Sequence, residues 1–418
     1  MLARELLVDC FNAAVRAADP RTIIPKFLPQ PPKGRTVVVG AGKGAAQMAA
    51  ALESAWEGPL TGVVVTRYGY GAPTERIEVI EAAHPVPDRA GLQATRRLIS
   101  AVSGLTEDDL VIALICGGGS SLLPSPGGDL TLDDEIAVNT ALLRSGAPIA
   151  VMNAIRKHIS TIKGGGLAAS AYPAKVVSLI ASDIPGDSIA LVSSGPTLAD
   201  KTTRADALAL IAEYRIDLPD SVMRHLRSER ADSFDPADPR FLRNEAFLIA
   251  SAAGSLEAAA AEARARGVEA IILSDSMQGE ASVVGGVHAA IAREIALRDR
   301  PFKKPVLLLS GGETTVSVRG HGKGGRNGEF ALSLAIEVDG ISGVTALIAD
   351  TDGIDGSEDN AGAFADGASV KRMLNAGIDP RAFLLRNDSW SAFERVGDLF
   401  VVGPTGVNVN DFRAILIE

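Results

Sequence analysis

Apolar positions in this chain follow two rhythms. Short runs of β-branched and aliphatic residues stop abruptly at small or polar ones: 36–39 ahead of Gly40, 62–65 ahead of Thr66, 111–115 ahead of Cys116 and 176–180 ahead of Ala181. Each run precedes a stretch able to form a helix, so the first half reads as repeated βα units around a parallel sheet. From about Ser228 to Asn244 the chain turns polar and proline-broken, with no apolar period to support an element. The predicted domain division therefore separates residues 1–235 from 236–418. Beyond it the alternation resumes, with strands expected over 246–250, 269–273, 306–309 and 345–349 and helices over 255–266 and 281–297. At the amino terminus Leu2, Leu6, Cys10 and Phe11 recur at helical spacing among Arg4, Glu5 and Asp9, which fits an amphipathic helix and not a signal peptide.

Composition agrees with the pattern. Apolar residues make up 46 % of the 418 positions and aromatics only 4 %, so burial must rest on Ala, Val, Leu and Ile, as in helices stacked on parallel sheets. The formal charge of −10 disfavours a nucleic-acid or anionic-membrane surface, and an anionic substrate would need a locally basic pocket. Two separated cysteines, Cys10 and Cys116, suggest neither a disulfide framework nor a thiolate metal site and fit a reducing cytoplasm. No apolar run reaches the roughly 18 residues of a membrane span.

Four glycine-rich stretches carry the candidate chemistry. Gly40-Ala41-Gly42-Lys43-Gly44 runs from a strand into a helix and resembles a dinucleotide turn, yet Lys43 stands inside it and the next strand ends at Thr66-Arg67 without a ribose-binding acid. It is either an anion site or tight βα packing. Cys116-Gly117-Gly118-Gly119-Ser120-Ser121 has more glycine than a plain turn needs and leaves amides and hydroxyls for a ligand. Ser310-Gly311-Gly312-Glu313-Thr314-Thr315 is read as a loop beyond a strand, and the 320–329 stretch interleaves Lys323 and Arg326 with glycine ahead of a helix over 330–336, as an anion cradle would.

Acidic residues cluster after a strand at Asp350-Thr351-Asp352-Gly353-Ile354-Asp355, placed to hold Mg²⁺ against nucleotide phosphates or to cap the next helix. Asp183 follows another strand and could accept a proton from a substrate hydroxyl or hold a metal ion. Gly186-Asp187-Ser188 imitates a serine esterase, but the usual Asp-x-x-His partner is missing. The five histidines lack zinc-ligand spacing. A helix is expected over 152–163, where Arg156, Lys157 and Lys163 form either a solvated basic face or a site for a carboxylate or phosphate.

The Gly40–Gly44 turn, Ala83-His84-Pro85-Val86-Pro87-Asp88, the 116–121 loop, Ser182-Asp183-Ile184-Pro185-Gly186-Asp187, Ser193-Ser194-Gly195-Pro196-Thr197, Gly324-Gly325-Arg326-Asn327, Asp352-Gly353-Ile354-Asp355-Gly356 and the 403–410 stretch resemble, together and in this order, the class II glycerate 2-kinases, from about residue 5 to the end. The resemblance implies an α/β protein with a Rossmann-like amino-terminal domain, a smaller α/β carboxy-terminal (MOFRL-like) domain and an active site in the cleft between them. It further implies ATP with Mg²⁺, D-glycerate as acceptor and 2-phosphoglycerate as product. Lys43 and Arg326 fall on its active-site lysine and arginine, and Asp183 on an acidic position of the same site. Members called hydroxypyruvate reductase leave an NAD(P)H-dependent reductase as the alternative. The resulting expectation assigns Lys43, Arg326 and Asp183 to catalysis. Gly40, Gly42, Gly117, Gly118, Gly119, Ser120, Ser121, Gly311, Gly312, Glu313 and Lys323 are assigned to nucleotide binding, and Asp350, Asp352 and Asp355 to the metal. The protein is expected to be a monomer or homodimer, free of nucleic-acid and membrane partners.

Overall fold

A computed structural model describes residues 3–184 and 186–418, so Leu2 of the expected first helix and Pro185 of the 182–187 motif lie outside the described residues. The chain forms two compact units, Pro20–Ile249 and residues 3–19 together with Ala250–Glu418.

In the Pro20–Ile249 unit the strands are β1 (Thr36–Ala41), β2 (Thr61–Arg67), β3 (Ile77–Ala82), β4 (Leu110–Cys116), β5 (Lys175–Ala181) and β6 (Glu245–Ala250), in sheet order β3-β2-β1-β4-β5-β6. Strands β1 to β5 run parallel to their neighbours. Their near-continuous apolar composition has a direct cause, because both faces are covered. Val37, Val39 and Ala41 pack with Ala94 and Leu98 of the helix Arg89–Val102, while Val38 turns the other way onto Met48 and Leu52 of the helix Ala45–Ala55. Asp88 starts the helix Arg89–Val102 by accepting from the Gly91 N–H at 2.9 Å. The expected helix over 152–163 is shorter and earlier, Ile149–Lys157, and the chain beyond it turns through three glycines.

The other unit contains β7 (Glu269–Glu280), β8 (Val306–Thr315), β9 (Val344–Asp350), β10 (Gly362–Asp366), β11 (Leu399–Phe400) and β12 (Asp411–Ile417), in order β11-β10-β9-β12-β8-β7. Only β7 and β8 pair in parallel; the remaining pairs are antiparallel. One face packs on the helices Ala281–Arg298 and Arg326–Glu337. The opposite face carries Leu307, Leu347, Ala414 and Leu416 and is covered by the helices Ala3–Ala18 and Ala252–Ala265.

The first helix accounts for a difference from the expected division at residue 235. Its Phe11 ring lies edge-on to Phe400 at 5.0 Å and Phe412 at 5.6 Å, so the amino-terminal residues belong with the carboxy-terminal sheet. Leaving that face uncovered would expose several large side chains worth roughly 1.5–3 kcal/mol each. The proline-broken 228–244 stretch holds only the short 3₁₀ turns Glu229–Ala231 and Pro239–Phe241, and the division follows the strand after it. The expected loop at Ser310–Thr315 is also different: Gly311 and Gly312 lie inside β8. At Gly312, with φ 112°, a side chain would meet the Met277 backbone of β7, where the pairing register shifts.

Candidate active site

In the Pro20–Ile249 unit the predicted residues converge on the loop after β4. A Cβ at Gly117 would strike the Asp183 carboxylate, so a glycine here lets the acid lie against the backbone. The neighbouring Gly118 faces the Lys43 side chain and the His84 ring. Lys43, Gly117, Gly118 and Asp183 are thereby brought together. Ser120 joins them through a 2.8 Å bond between its hydroxyl and that of Ser194, and Gly119 abuts Ser193.

The Gly40–Gly44 turn resolves as tight βα packing with its lysine left over. The Gly42 N–H donates to Val65 O, Lys43 N–H to Gly117 O at 2.8 Å and Gly44 N–H to the Cys116 sulfur at 3.2 Å. These amides are occupied within the protein. Lys43 offers its side chain instead, and it makes no ion pair among the described residues. Burial pushes the Cys116 thiol up to about 12, and no disulfide engages either cysteine.

Sequence reasoning did not assign a role here to Ser193, Ser194, Asn153, Asn139, Arg67 or His84. Ser193 and Ser194 hold φ of 53° and 61°, unusual for residues with a side chain and an indication of a locally constrained backbone. Ser193 donates to Cys116 O at 2.6 Å, and Ser194 to Asn153 Oδ1 at 2.8 Å. The basic cluster around Arg156 divides in three. Lys157 is buried against Asp200, Lys163 is buried against Glu135 at 2.6 Å, and Arg156 bonds only to neutral oxygens. Arg67 lies over the Tyr70 ring at 3.8 Å and, like Lys43 and Arg156, pairs with no carboxylate among the described residues. Burial, reinforced by Lys43, Arg67 and Arg156, pushes His84 down to about 4, so the ring is neutral beside three cations at physiological pH.

The predicted residues of the carboxy-terminal unit assemble differently. Register places Asp350 of β9 directly opposite Asp411 of β12, a like-charge pair that needs a cation. Arg326, the first residue of the helix Arg326–Glu337, supplies it, donating to Asp411 Oδ1 at 2.6 Å and Asp350 Oδ2 at 2.7 Å, with Glu313 at 3.2 Å. Burial alone would lower the basicity of its guanidinium, but these three carboxylates raise it above the usual arginine range. Burial and the adjacent Asp352 raise Asp350, whereas Arg413 and Arg326 outweigh burial and hold Asp411 low. Asp411 and the fully buried Arg413 escaped the sequence reading; the only signal was a charged pair inside an otherwise apolar terminal run.

The 320–329 stretch is not an open anion cradle. Asn387 Oδ1 accepts from the N–H groups of Arg319 and Gly320, and Asp388 Oδ1 from that of Lys323. At the helix start, Asp355 accepts from the N–H groups of Asn327 at 2.9 Å and Gly328 at 2.7 Å, so the protein's own carboxylate already sits there. Lys323 is exposed above the Trp390 ring, 3.7 Å from Glu358 and outside the Arg326 cluster.

Asp350, Asp352 and Asp355 do not fit a magnesium site built by the protein alone. Asp355 spends both oxygens on amides, Asp350 is tied to Arg326, and Asp352 Oδ1 accepts from the Ile354 N–H. No group of three or more His, Cys, Asp or Glu among the described residues is placed to hold a metal. No helix among them is long and apolar enough to cross a membrane.

The fold and these sites define a two-unit α/β protein whose amino-terminal part matches DUF4147, a domain of unknown function, over residues 6–227, and whose carboxy-terminal part matches the MOFRL family over 306–411. The chain belongs to the glycerate kinase family that joins these two modules. It is 40 % identical to the D-glycerate 2-kinase of Thermotoga maritima over 99 % of this chain and 98 % of that one. A crystal structure of glycerate kinase from the same organism superposes with a TM-score of 0.89 at 38 % identity, covering 99 % of both chains. A protein of Agrobacterium vitis, provisionally named hydroxypyruvate reductase, is 52 % identical over 99 % of this chain and 94 % of its own length.

Proposed function

We propose that this protein transfers the γ-phosphoryl group of ATP to the C2 hydroxyl of D-glycerate, giving 2-phosphoglycerate and ADP. The observation that carries the chemistry is the set of three cations that bond to no carboxylate among the described residues, Lys43, Arg67 and Arg156, around the Gly117–Ser121 loop of an otherwise acidic protein. Uncompensated positive charge in a half-buried setting is what an anionic acceptor and a triphosphate require. Named relatives supply the substrate class.

Asp183, held against Gly117, takes the proton of the C2 hydroxyl as its oxygen bonds to the γ-phosphorus. The bond from that phosphorus to the β–γ bridging oxygen breaks, and ADP leaves with the electron pair. Lys43 neutralises charge on the transferring group, a contribution worth roughly 10²–10³ in kcat by analogy with an oxyanion donor. Within the carboxy-terminal unit Arg326 is the cation open to a nucleotide phosphate, which would replace Glu313, the exposed member of its three partners. Magnesium carried by ATP would supply further charge neutralisation on the phosphates, and Asp350 and Asp352 are the residues that would hold it. A cytoplasmic location fits two buried cysteines that form no disulfide, and the enzyme is read as a monomer or homodimer.

The reductase reading draws on the name of the Agrobacterium vitis relative. Against it stand the occupied amides of the Gly40–Gly44 turn and Arg67 at the end of β2, where a dinucleotide fold would hold the ribose with an acid. A coupled ADP assay over three- and four-carbon hydroxy acids, with the phosphorylated carbon read by NMR, tests the proposal. Glycerate-dependent ADP release with phosphate on C2 supports it. NADH oxidation with hydroxypyruvate and no ADP release overturns it.

A further inference from the structure

Arg156 differs from its neighbours in the basic 156–163 cluster because no carboxylate bonds to it among the described residues; Glu135, the partner of Lys163, acts on it only through space. It is half-buried near the end of the helix Ile149–Lys157. Its Nε donates to Asn139 Oδ1 at 2.9 Å and its Nη1 reaches Asn153 Oδ1 at 3.5 Å. Both acceptors are neutral amides, and Nη2 has no protein partner among the described residues. Its neighbours Lys157 and Lys163 each have a carboxylate, so within this basic cluster the absence is specific to Arg156.

The two asparagines are themselves fixed. Asn139 Nδ2 donates to Glu135 O at 3.1 Å and Asn153 Nδ2 to Leu191 O at 2.9 Å, which turns both Oδ1 atoms toward the guanidinium. Asn153 Oδ1 also accepts from Ser194, which is bonded to Ser120 of the glycine-rich loop. A rigid polar chain thus leads from the loop to a guanidinium held in one orientation. Burial lowers its basicity to about 10, yet it remains charged at neutral pH.

We infer that Arg156 recognises the carboxylate of the hydroxy-acid substrate, with Asn139 and Asn153 positioning its guanidinium. The inference rests on the kinase reading and adds the residue that selects an acid over a neutral polyol. A planar guanidinium suits a planar carboxylate, whereas the flexible ammonium of Lys43 above Gly118 suits a phosphate.

The test compares the full-length wild type with Arg156→Lys, Arg156→Gln and Asn139→Asp. The last keeps the guanidinium but places a carboxylate where Asn139 Oδ1 now accepts. Losing charge-assisted hydrogen bonds of this kind corresponds to about a tenfold to a hundredfold change. The expected result is a rise of that size in KM for D-glycerate in Arg156→Gln and Asn139→Asp, a smaller rise in Arg156→Lys and little change in KM for ATP. The preference for glycerate over glyceramide should shrink in step. An unchanged KM for glycerate in folded variants overturns the inference, and a rise confined to ATP assigns Arg156 to a nucleotide phosphate instead. Calorimetric binding of glycerate to the same proteins separates this question from turnover. If the wild type binds glycerate but releases no ADP, the kinase reading fails while the role of Arg156 is still decided by the binding ratio.

Discussion

The two glycine-rich sites of this protein handle positive charge in opposite ways. Around the loop after β4, three cations bond to no carboxylate among the described residues and surround a neutral histidine. Around the start of the helix Arg326–Glu337, one arginine is bonded to three carboxylates, and a fourth acid, Asp355, occupies the helix end. The sequence offers a lysine or arginine among glycines in both places and does not distinguish them. The difference lies in what the fold brings opposite. β12 returns from the far end of the chain to put Asp411 beside Asp350, whereas Asp183 is the only predicted acid placed at the β4 loop. A cation without partners is available to a ligand at once, whereas a partnered one such as Arg326 holds structure together and meets a ligand only by giving up a partner, Glu313 being the exposed one.

Four substitutions and one titration sharpen or break this contrast. The largest effect is expected from Arg326→Ala, which leaves Asp350 and Asp411 buried face to face. Chemical denaturation should show a loss of about 3–5 kcal/mol, and kcat should fall by about 10²–10³. A variant of unchanged stability would show that the ion-pair hub carries no structural load. Lys163→Met should cost a similar amount, about 3–5 kcal/mol, by stranding the Glu135 carboxylate, and Glu135→Gln with Lys163→Met should recover much of it. Gly117→Ala forces Asp183 off the backbone; kcat should drop steeply while the melting temperature moves only a few degrees, and an active enzyme would detach Asp183 from the chemistry.

The smallest effect is electrostatic and depends on pH. His288 is buried, its ring bonded to Val284 O and the Ser310 hydroxyl at 2.9 Å each, and burial pushes it down to about 4. An unfolded histidine takes its proton near 6.5, so the unfolded state binds more protons between that pH and 4. His288 therefore imposes no penalty above pH 6.5 and destabilises the fold progressively as pH falls toward 4. The ring carbon shifts of His288 should stay flat by NMR down to about pH 5. A midpoint near 6.5 would contradict its buried, neutral state.

Much of the architecture was legible from residue pattern. The β-branched runs of the first half became parallel strands because both faces are buried, and a continuous apolar run is the trace of that. What escaped was non-local. Leu6, Cys10 and Phe11 announce a helix with an apolar face, but nothing in them says that the face closes on a sheet formed by residues 269–417. β12 was missed although all seven residues are buried, because Asp411 and Arg413 interrupt its apolar rhythm and satisfy each other. In the site, the residue types were readable and the pairing was not. Lys157 and Lys163 look like Arg156 in sequence; only the fold gives them Asp200 and Glu135.

The most direct measurement of the central claim is kcat for Lys43→Ala at saturating ATP and D-glycerate, taken beside its melting temperature. A cation that supports no internal ion pair should leave the melting temperature within a few degrees of wild type while glycerate-dependent ADP release falls by about 10²–10³. Near-normal turnover, or a fold lost together with the activity, would contradict the claim that a cation left without an internal partner serves the substrate and not the fold.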